Sequence, residues 1–308
     1  MRDLVEFRIA ISPTEAFFRR VRLLCAALQR LGPPYSEAPV KVVVGDDPDI
    51  ERVRTQNDWS DRYHVEWVRL PSEIFADHYY FGTADYRYLL PPRKGALVIL
   101  LDHDVVAVRP FLAGLKWMRY NVPSIAGHRA HTPPPVRIKE KDLITDDVWK
   151  YLFNEFGIPW PEHLYRYTID KENVYRPAPA YYNLGFIALN QRALKIFRDS
   201  IFDVQARLRA LVDSKMRCQI AVTLISYLHR MRRQNLPATF NAANDEDHLL
   251  QNDVRIENVK IIHYLRNDEV DRDTFLTDEE RPIFLRRELR NPVNQLLQRV
   301  IRELPDFR

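Results

Sequence analysis

The sequence predicts an α/β fold, a mostly parallel central sheet flanked by helices, with an insertion and a C-terminal helical tail. Three observations carry this reading. Strand-like and helix-like apolar periods alternate from Phe7 to Leu101. The continuous apolar run Ala96 to Leu101 has the composition of a parallel strand buried on both faces. That run ends directly on Asp102-His103-Asp104, at the carboxyl end of a strand, where such sheets bind ligands.

The elements follow in order. Phe7 to Ile11 reads as a strand. Ser12-Pro13-Thr14-Glu15 then reads as a helix start, with proline in the first turn and Glu three residues after Ser. Phe17, Val21, Leu24, Leu28 and Leu31 keep helical spacing until Gly32-Pro33-Pro34. Val40 to Val44 and His64 to Leu70 are the next strands, Tyr79 to Leu90 a helix stopped by Pro91-Pro92, and Ala96 to Leu101 the central strand. The periodicity is lost over 128–180, which holds three consecutive prolines and many aromatics, among them Trp160, Tyr165, Tyr167, Tyr175 and Tyr181. This segment is expected to be an insertion on the acceptor side. Phe186 to Leu189 is a strand, a long helix starts at Gln191, Met216 to Met231 is helical, and Val259 to Tyr264 is expected to be the last core strand. A core of 1–270 is thus followed by a helical extension, 271–308, whose Leu296, Leu297, Val300, Ile301 and Leu304 suit docking or a homodimer.

Composition narrows the function. At 46% hydrophobic and 29% charged residues, with no apolar run long enough for a membrane span, the chain reads as soluble and cytoplasmic. Two cysteines, Cys25 and Cys218, cannot build a disulfide framework or a zinc cluster alone. A net charge of +4 suits an anionic small molecule and does not call for nucleic acid. The eight glycines form neither GxGxxG nor a P-loop, so a diphosphate would need a metal ion as its anchor.

Asp-x-Asp occurs at 47/49, 102/104, 245/247 and 271/273. The first sits in a proline-containing turn, where Asp serves the backbone, and the last two lie in polar stretches that read as solvated surface. Asp102 and Asp104 lie between apolar strands, where two carboxylates need a cation or hydrogen bonds to offset desolvation. Mn²⁺ or Mg²⁺ suits such oxygen ligands. His263, after Val259-Lys260-Ile261-Ile262, is the candidate third ligand, against the alternative of a core-edge histidine. His128 and His131 rank below it because they lie at the insertion.

Tyr86-Arg87-Tyr88-Leu89-Leu90 followed by Ala96 to Asp104 resembles the strand and DxD motif of GT-A (Rossmann-like) glycosyltransferases, in the family of glycogenin and lipopolysaccharide galactosyltransferases. Further similarities fall in order: Tyr182-Asn183-Leu184-Gly185-Phe186-Ile187-Ala188-Leu189-Asn190, Gln219, Leu236-Pro237-Ala238-Thr239-Phe240-Asn241, and Ile261-Ile262-His263-Tyr264. Two departures stand out. Cys218 replaces the family's Asp before Gln219, and Leu265-Arg266-Asn267-Asp268 replaces its Gly-x-x-Lys-Pro-Trp.

The resemblance implies a metal-dependent transferase that moves sugar from a nucleotide-sugar donor, UDP-linked by preference, to a carbohydrate, lipid-linked or protein acceptor. It implies metal ligation by Asp102, Asp104 and His263. Ile11, Ser12, Pro13, Arg87, Asp102 and His103 would border the nucleotide, and Arg266 would take over the diphosphate contact of the missing lysine. Asn183 and Gln219 would line the sugar pocket. Retention would use the leaving phosphate as base, and inversion would need a carboxylate from Asp245, Glu246 or Asp247. A nucleotidyltransferase is the competing enzyme, disfavoured by Ser12-Pro13-Thr14-Glu15-Ala16 where a glycine-rich loop belongs. An inactive GT-A-like binding protein is the competing non-enzyme.

Overall fold

The computed structural model describes residues 4–46, 48–119, 121–139, 143–144, 148–170 and 172–307. Asp47 of the first Asp-x-Asp pair, and parts of the charged 139–150 stretch, lie outside the described residues. The central sheet has seven strands. In chain order they are β1 (Val5–Ile11), β2 (Val40–Val44), β3 (Val65–Arg69), β4 (Leu97–Leu101), β6 (Ser124–Arg129), β9 (Tyr182–Leu189) and β11 (Arg232–Asn235), arranged β11-β6-β9-β4-β1-β2-β3. All pairings are parallel except those of β9, which runs antiparallel to both β4 and β6. The expected central strand is therefore parallel on one side only.

Strand alternation divides the core into two layers. Ile99 and Leu101 of β4 join Phe7, Ile9 and Ile11 of β1 on the face covered by α1 (Glu15–Arg30) and α10 (Pro292–Glu303). Val98 and Leu100 turn to the other face, packed by Phe197, Ile201 and Leu208 of α6 (Gln191–Leu211) and by α7 (Arg217–Leu228). Leu296, Leu297, Val300, Ile301 and Leu304 belong to the first layer, so of docking and dimerisation the stripe serves docking, covered by the chain's own core.

The α1 start differs from the expected capping box. Thr14 is the N-cap and makes no side-chain cap bond, while the Ser12 carbonyl accepts from Thr14 N in a tight turn. The expected Tyr79–Leu90 helix is shorter. Tyr79, at φ 52°, separates α3 (Ser72–His78) from α4 (Tyr80–Tyr86). Earlier in the chain, between β2 and β3, α2 (Ile50–Gln56) is capped by Asp49, whose carboxylate accepts from Glu51 N and Arg52 N.

Two small sheets complete the frame. β5 (Val105–Ala107), β12 (Ala242–Ala243) and β13 (Ile261–His263) form one, in the order β12-β13-β5. The expected last core strand is β13, buried in the core but paired within this accessory sheet. The other combines β7 (Arg137–Ile138), β8 (Leu143–Ile144) and β10 (Val212–Asp213). Helix α5 (Val148–Glu155) lies in the insertion and buries Val148, Trp149, Leu152 and Phe153 in the second layer. Helices α8 (Glu246–Gln251) and α9 (Glu280–Arg286) flank β13 in sequence. Gly127 is required where β6 crosses β9, because a Cβ there would meet Ile187 Cδ1 at 2.8 Å and Tyr182 Cγ at 2.9 Å, and the register shifts at that point.

Candidate functional site

The accessory sheet assembles the site. β13 pairs antiparallel with β5, placing His263 opposite Val105, and Tyr264 N donates to the Asp104 carbonyl at 3.0 Å. Residues distant in sequence thereby meet at the carboxyl end of β4. His263 Nε2 lies 3.2 Å from Asp104 Oδ1. Asp102, Asp104 and His263 each offer a ligand atom within 4.8 Å of the others. Asp104 and His263 are buried, whereas Asp102 keeps 33% of its side chain open.

β9 supplies the opposite wall. Leu101 pairs with Phe186, so Gly185 and Asn183 run past the end of β4. A Cβ at Gly185 would meet Asn241 Oδ1 at 2.5 Å, His263 Nδ1 at 2.8 Å and Asn183 Oδ1 at 2.9 Å. Glycine is required because three polar side chains converge there. Asn241 is fully buried with neither amide atom hydrogen-bonded, and His263 Nδ1 is likewise buried without a partner. Buried polar groups left in this state are unusual and point to a ligand.

The charges explain the protonation states. Burial pushes the Asp104 carboxyl up, but His263, His103 and Arg272 outweigh it and hold the group below the usual carboxylate range. Burial favours neutral His263, yet Asp104 and Asp102 raise its pKa above the ordinary imidazole value. Asp102 is raised, first by burial and then by Asp104, with Arg87, His263 and Arg272 pulling the other way. Two acids sharing a desolvated position with one imidazole form a donor set that fits Mn²⁺ or Mg²⁺.

Arg87 is almost wholly buried and acts on the backbone. Its Nε donates to Ala84 O at 2.9 Å and its Nη1 to Leu101 O at 3.0 Å, leaving Nη1 4.0 Å from Asp102 Oδ1. The Arg87 carbonyl in turn accepts from Arg8, whose guanidinium pairs with Glu6 at 2.7 Å, both fully buried. An ion pair under the sheet therefore braces the loop that carries the acids.

Ile11 is buried at the end of β1, while Ser12 is exposed and Pro13 half-buried beside it. His103 turns towards α1, with its ring edge-on to Phe17 at 4.4 Å and Nδ1 3.1 Å from Arg20 Nη1. Burial lowers its pKa to about 4. Gln219, nearly buried on α7, and Asn183 line a cavity of 140 Å³ with Ala130, His131, Thr132 and Pro133. Insertion residues thus face the expected sugar pocket.

Arg266 is 58% exposed and spends its guanidinium on Asp271 and Asp273. The arginine that reaches the acids is Arg272, whose Nη1 donates to Asp104 Oδ2 at 2.7 Å. Nothing in its polar stretch distinguished Arg272. Asp273, read as solvated surface, bridges Arg20 and Arg266. Asp245 caps α8 by accepting from His248 N at 2.9 Å. Cys218 lies against Asp85, a fully buried acid whose pKa burial raises to about 7. A carboxylate at 218 would face a second acid there, which gives the replacement of the expected Asp a physical reason. Of the insertion aromatics, Tyr167 and Tyr181 are buried, Tyr167 accepting from Trp149 Nε1 at 2.9 Å, whereas Trp160 and Tyr175 are exposed.

Among the described residues, no helix is long and apolar enough to cross a membrane. No curated protein matches the chain in sequence. Solved structures do match in shape. The bifunctional glycosyltransferase WbbM superposes with TM-score 0.54 at 13% identity, over 93% of this chain and 52% of its own. The galactosyltransferase LgtC, bound to donor and acceptor sugar analogues, superposes at 0.51 with 14% identity, over 85% and 87%. The glycosyltransferase GlyE of Streptococcus pneumoniae superposes at 0.51 with 14% identity, over 98% and 64%. The chain therefore spans about half of WbbM and under two thirds of GlyE, and at these identities the likeness establishes the GT-A fold. The profile of the Rhodobacterales glycosyltransferase domain covers residues 21–267, most of the sequence, and the chain belongs to that glycosyltransferase family.

Proposed function

We propose that the chain transfers a sugar from a nucleotide-diphosphate sugar, with UDP the favoured nucleotide, to a hydroxyl acceptor. The observation that carries this is the meeting of Asp102, Asp104 and His263, with His263 also converging with Asn183 and Asn241 on Gly185, at the ligand edge of a GT-A sheet. Asp102, Asp104 and His263 would hold Mn²⁺ or Mg²⁺. The ion would supply Lewis-acid charge neutralisation to the leaving diphosphate. Residues 1–270 form the catalytic part in this reading, 128–180 its acceptor side and 271–308 an extension that brings Arg272 to Asp104.

The chain's own residues divide the remaining work. The backbone bonds from Arg87 fix the loop bearing Asp102, so the acids are placed before the donor arrives. The edge of β1 at Ile11, Ser12 and Pro13 borders the base and ribose. The carboxamides of Asn183 and Gln219 orient the transferred sugar in the 140 Å³ cavity. Asp245 is committed as a helix cap, which removes one of the three acids an inverting course could use, and in this reading the leaving phosphate accepts the acceptor proton.

The test is incubation of the purified chain with Mn²⁺ and a panel of UDP- and GDP-sugars, followed by melting and by assay of released nucleoside diphosphate. One donor class should raise the melting temperature only with the metal present and release its diphosphate. No shift with any donor would reject the proposal.

A further inference from the structure

A second group of ligand-type side chains lies beside the first. His128 is on β6, His131 follows two residues after that strand ends, and His248 is on α8. Each offers a ring nitrogen within 4.8 Å of the others. His128 and His248 are buried at 2% and 0% exposure. The Nε2 atoms of all three are buried and have no hydrogen-bond partner. Three orphaned imidazole nitrogens gathered together are not what packing alone selects.

We propose that His128, His131 and His248 form a second divalent-metal site, a three-imidazole centre of the Zn²⁺ class, distinct from the group at Asp102, Asp104 and His263. The ring spacing suits such an ion. Ring centroids lie 6.2 Å apart for His128–His131, 5.3 Å for His128–His248 and 4.6 Å for His131–His248. A tetrahedral ion about 2.0–2.1 Å from each nitrogen places ring centroids about 5 Å apart.

The outer contacts leave Nε2 as the ligating atom. His128 Nδ1 lies 3.2 Å from Leu236 O, which can accept its proton, and His131 Nδ1 lies 2.8 Å from Thr168 Oγ1. A metal-bound imidazole makes this type of bond with its second nitrogen. Asn252 Nδ2 donates to Thr168 O and His248 O, so its 3.5 Å contact does not commit His248 Nδ1 as an acceptor. Burial lowers the pKa of His128 to about 4 and of His248 to about 3, so both rings are neutral and ready to ligate near pH 7. The set contains nitrogen only, which selects Zn²⁺, Co²⁺ or Ni²⁺ over the oxygen-seeking Mg²⁺ and Mn²⁺. The fourth position is left to water. Because His131 also lines the cavity with Asn183 and Gln219, the ion would clamp that wall to α8.

The full chain, stripped with a chelator and dialysed, should be titrated with Co²⁺ and followed by visible absorption. Wild type and Asp104→Ala should both give the intense bands of a tetrahedral nitrogen-rich centre, complete at one ion per chain in Asp104→Ala, where the other site is broken. His131→Ala should lose them. Thr168→Val, which removes the outer partner of His131 together with a long 3.5 Å bond to Ala130 O, should weaken Co²⁺ about 10- to 100-fold. Circular dichroism confirms folding of each variant. Absence of the bands in wild type, their survival in folded His131→Ala, or their loss in Asp104→Ala would overturn the proposal. The wild-type titration decides even if a histidine variant fails to fold. The Asp104→Ala arm separates this site from the donor site.

Discussion

Replacing Asp104 by Ala tests binding and stability together. In the metal-free chain the Asp104 carboxylate meets Arg272 Nη1 at 2.7 Å and His263 Nε2 at 3.2 Å. Hydrogen bonds to charged groups contribute about 1.5–3 kcal/mol each, and removing one partner of a buried pair costs about 3–5 kcal/mol. Two corrections lower the figure. The Arg272 side chain is 37% exposed, so water re-solvates it. His263 loses the carboxylate that most raises its pKa, so burial then favours its neutral form. The net cost is then about 2–3 kcal/mol, read as a lower urea midpoint with an unchanged slope. Calorimetry of Mn²⁺ with UDP should show affinity falling by at least about 100-fold, more than loss of an outer-sphere partner produces. Unchanged affinity in a folded variant would refute the metal role of Asp104. An unchanged urea midpoint would refute the ion-pair argument.

Three further outcomes are expected. Because the His263 pKa is raised, its contribution to metal-free stability is complete below about pH 6.5 and is lost as pH rises through the elevated value; with Mn²⁺ the slope reverses, since only neutral imidazole ligates, and melts across this range that slope alike with and without Mn²⁺ would count against ligation. Gly185→Ala should cost about 1–3 kcal/mol by overpacking and abolish Mn²⁺-dependent donor binding, because its Cβ would displace Asn241, His263 and Asn183; calorimetry showing normal binding would disprove the convergence. Trp160→Ala, at an exposed aromatic of the insertion that does not line the sugar cavity, should raise the acceptor KM while donor hydrolysis stays near wild type; equal loss of both activities would show that the insertion does not form the acceptor side.

Much of this was legible in the chain. Val40–Val44 was read at its observed bounds because a short β-branched run between Pro39 and Gly45 leaves little choice. Asp102 and Asp104 stood out because acids directly after a fully apolar run must be compensated. His263 was found as a histidine at the end of the last core strand, and the pairing of that strand with β5 and β12 rather than with the main sheet was not legible, because so short a segment does not reveal which partner it pairs with. Asn241 was visible only as part of a motif. Its unsatisfied amide appears once Gly185 is packed against it.

By itself the sequence determined the layers, the alternation of strands and helices, and the acids at the end of β4, because side-chain periodicity and desolvation act over a few residues. Tertiary structure alone decided which distant groups meet. The β5–β13 ladder carries His263 to Asp104, the C-terminal segment brings Arg272 rather than Arg266 to the same carboxylate, and α8 delivers His248 to His128 and His131. The apolar stripe on α10 read equally well as a surface for another copy or for this chain's own core. Only the packed fold, in which α10 covers the β1 and β4 face, shows which apolar surface it meets.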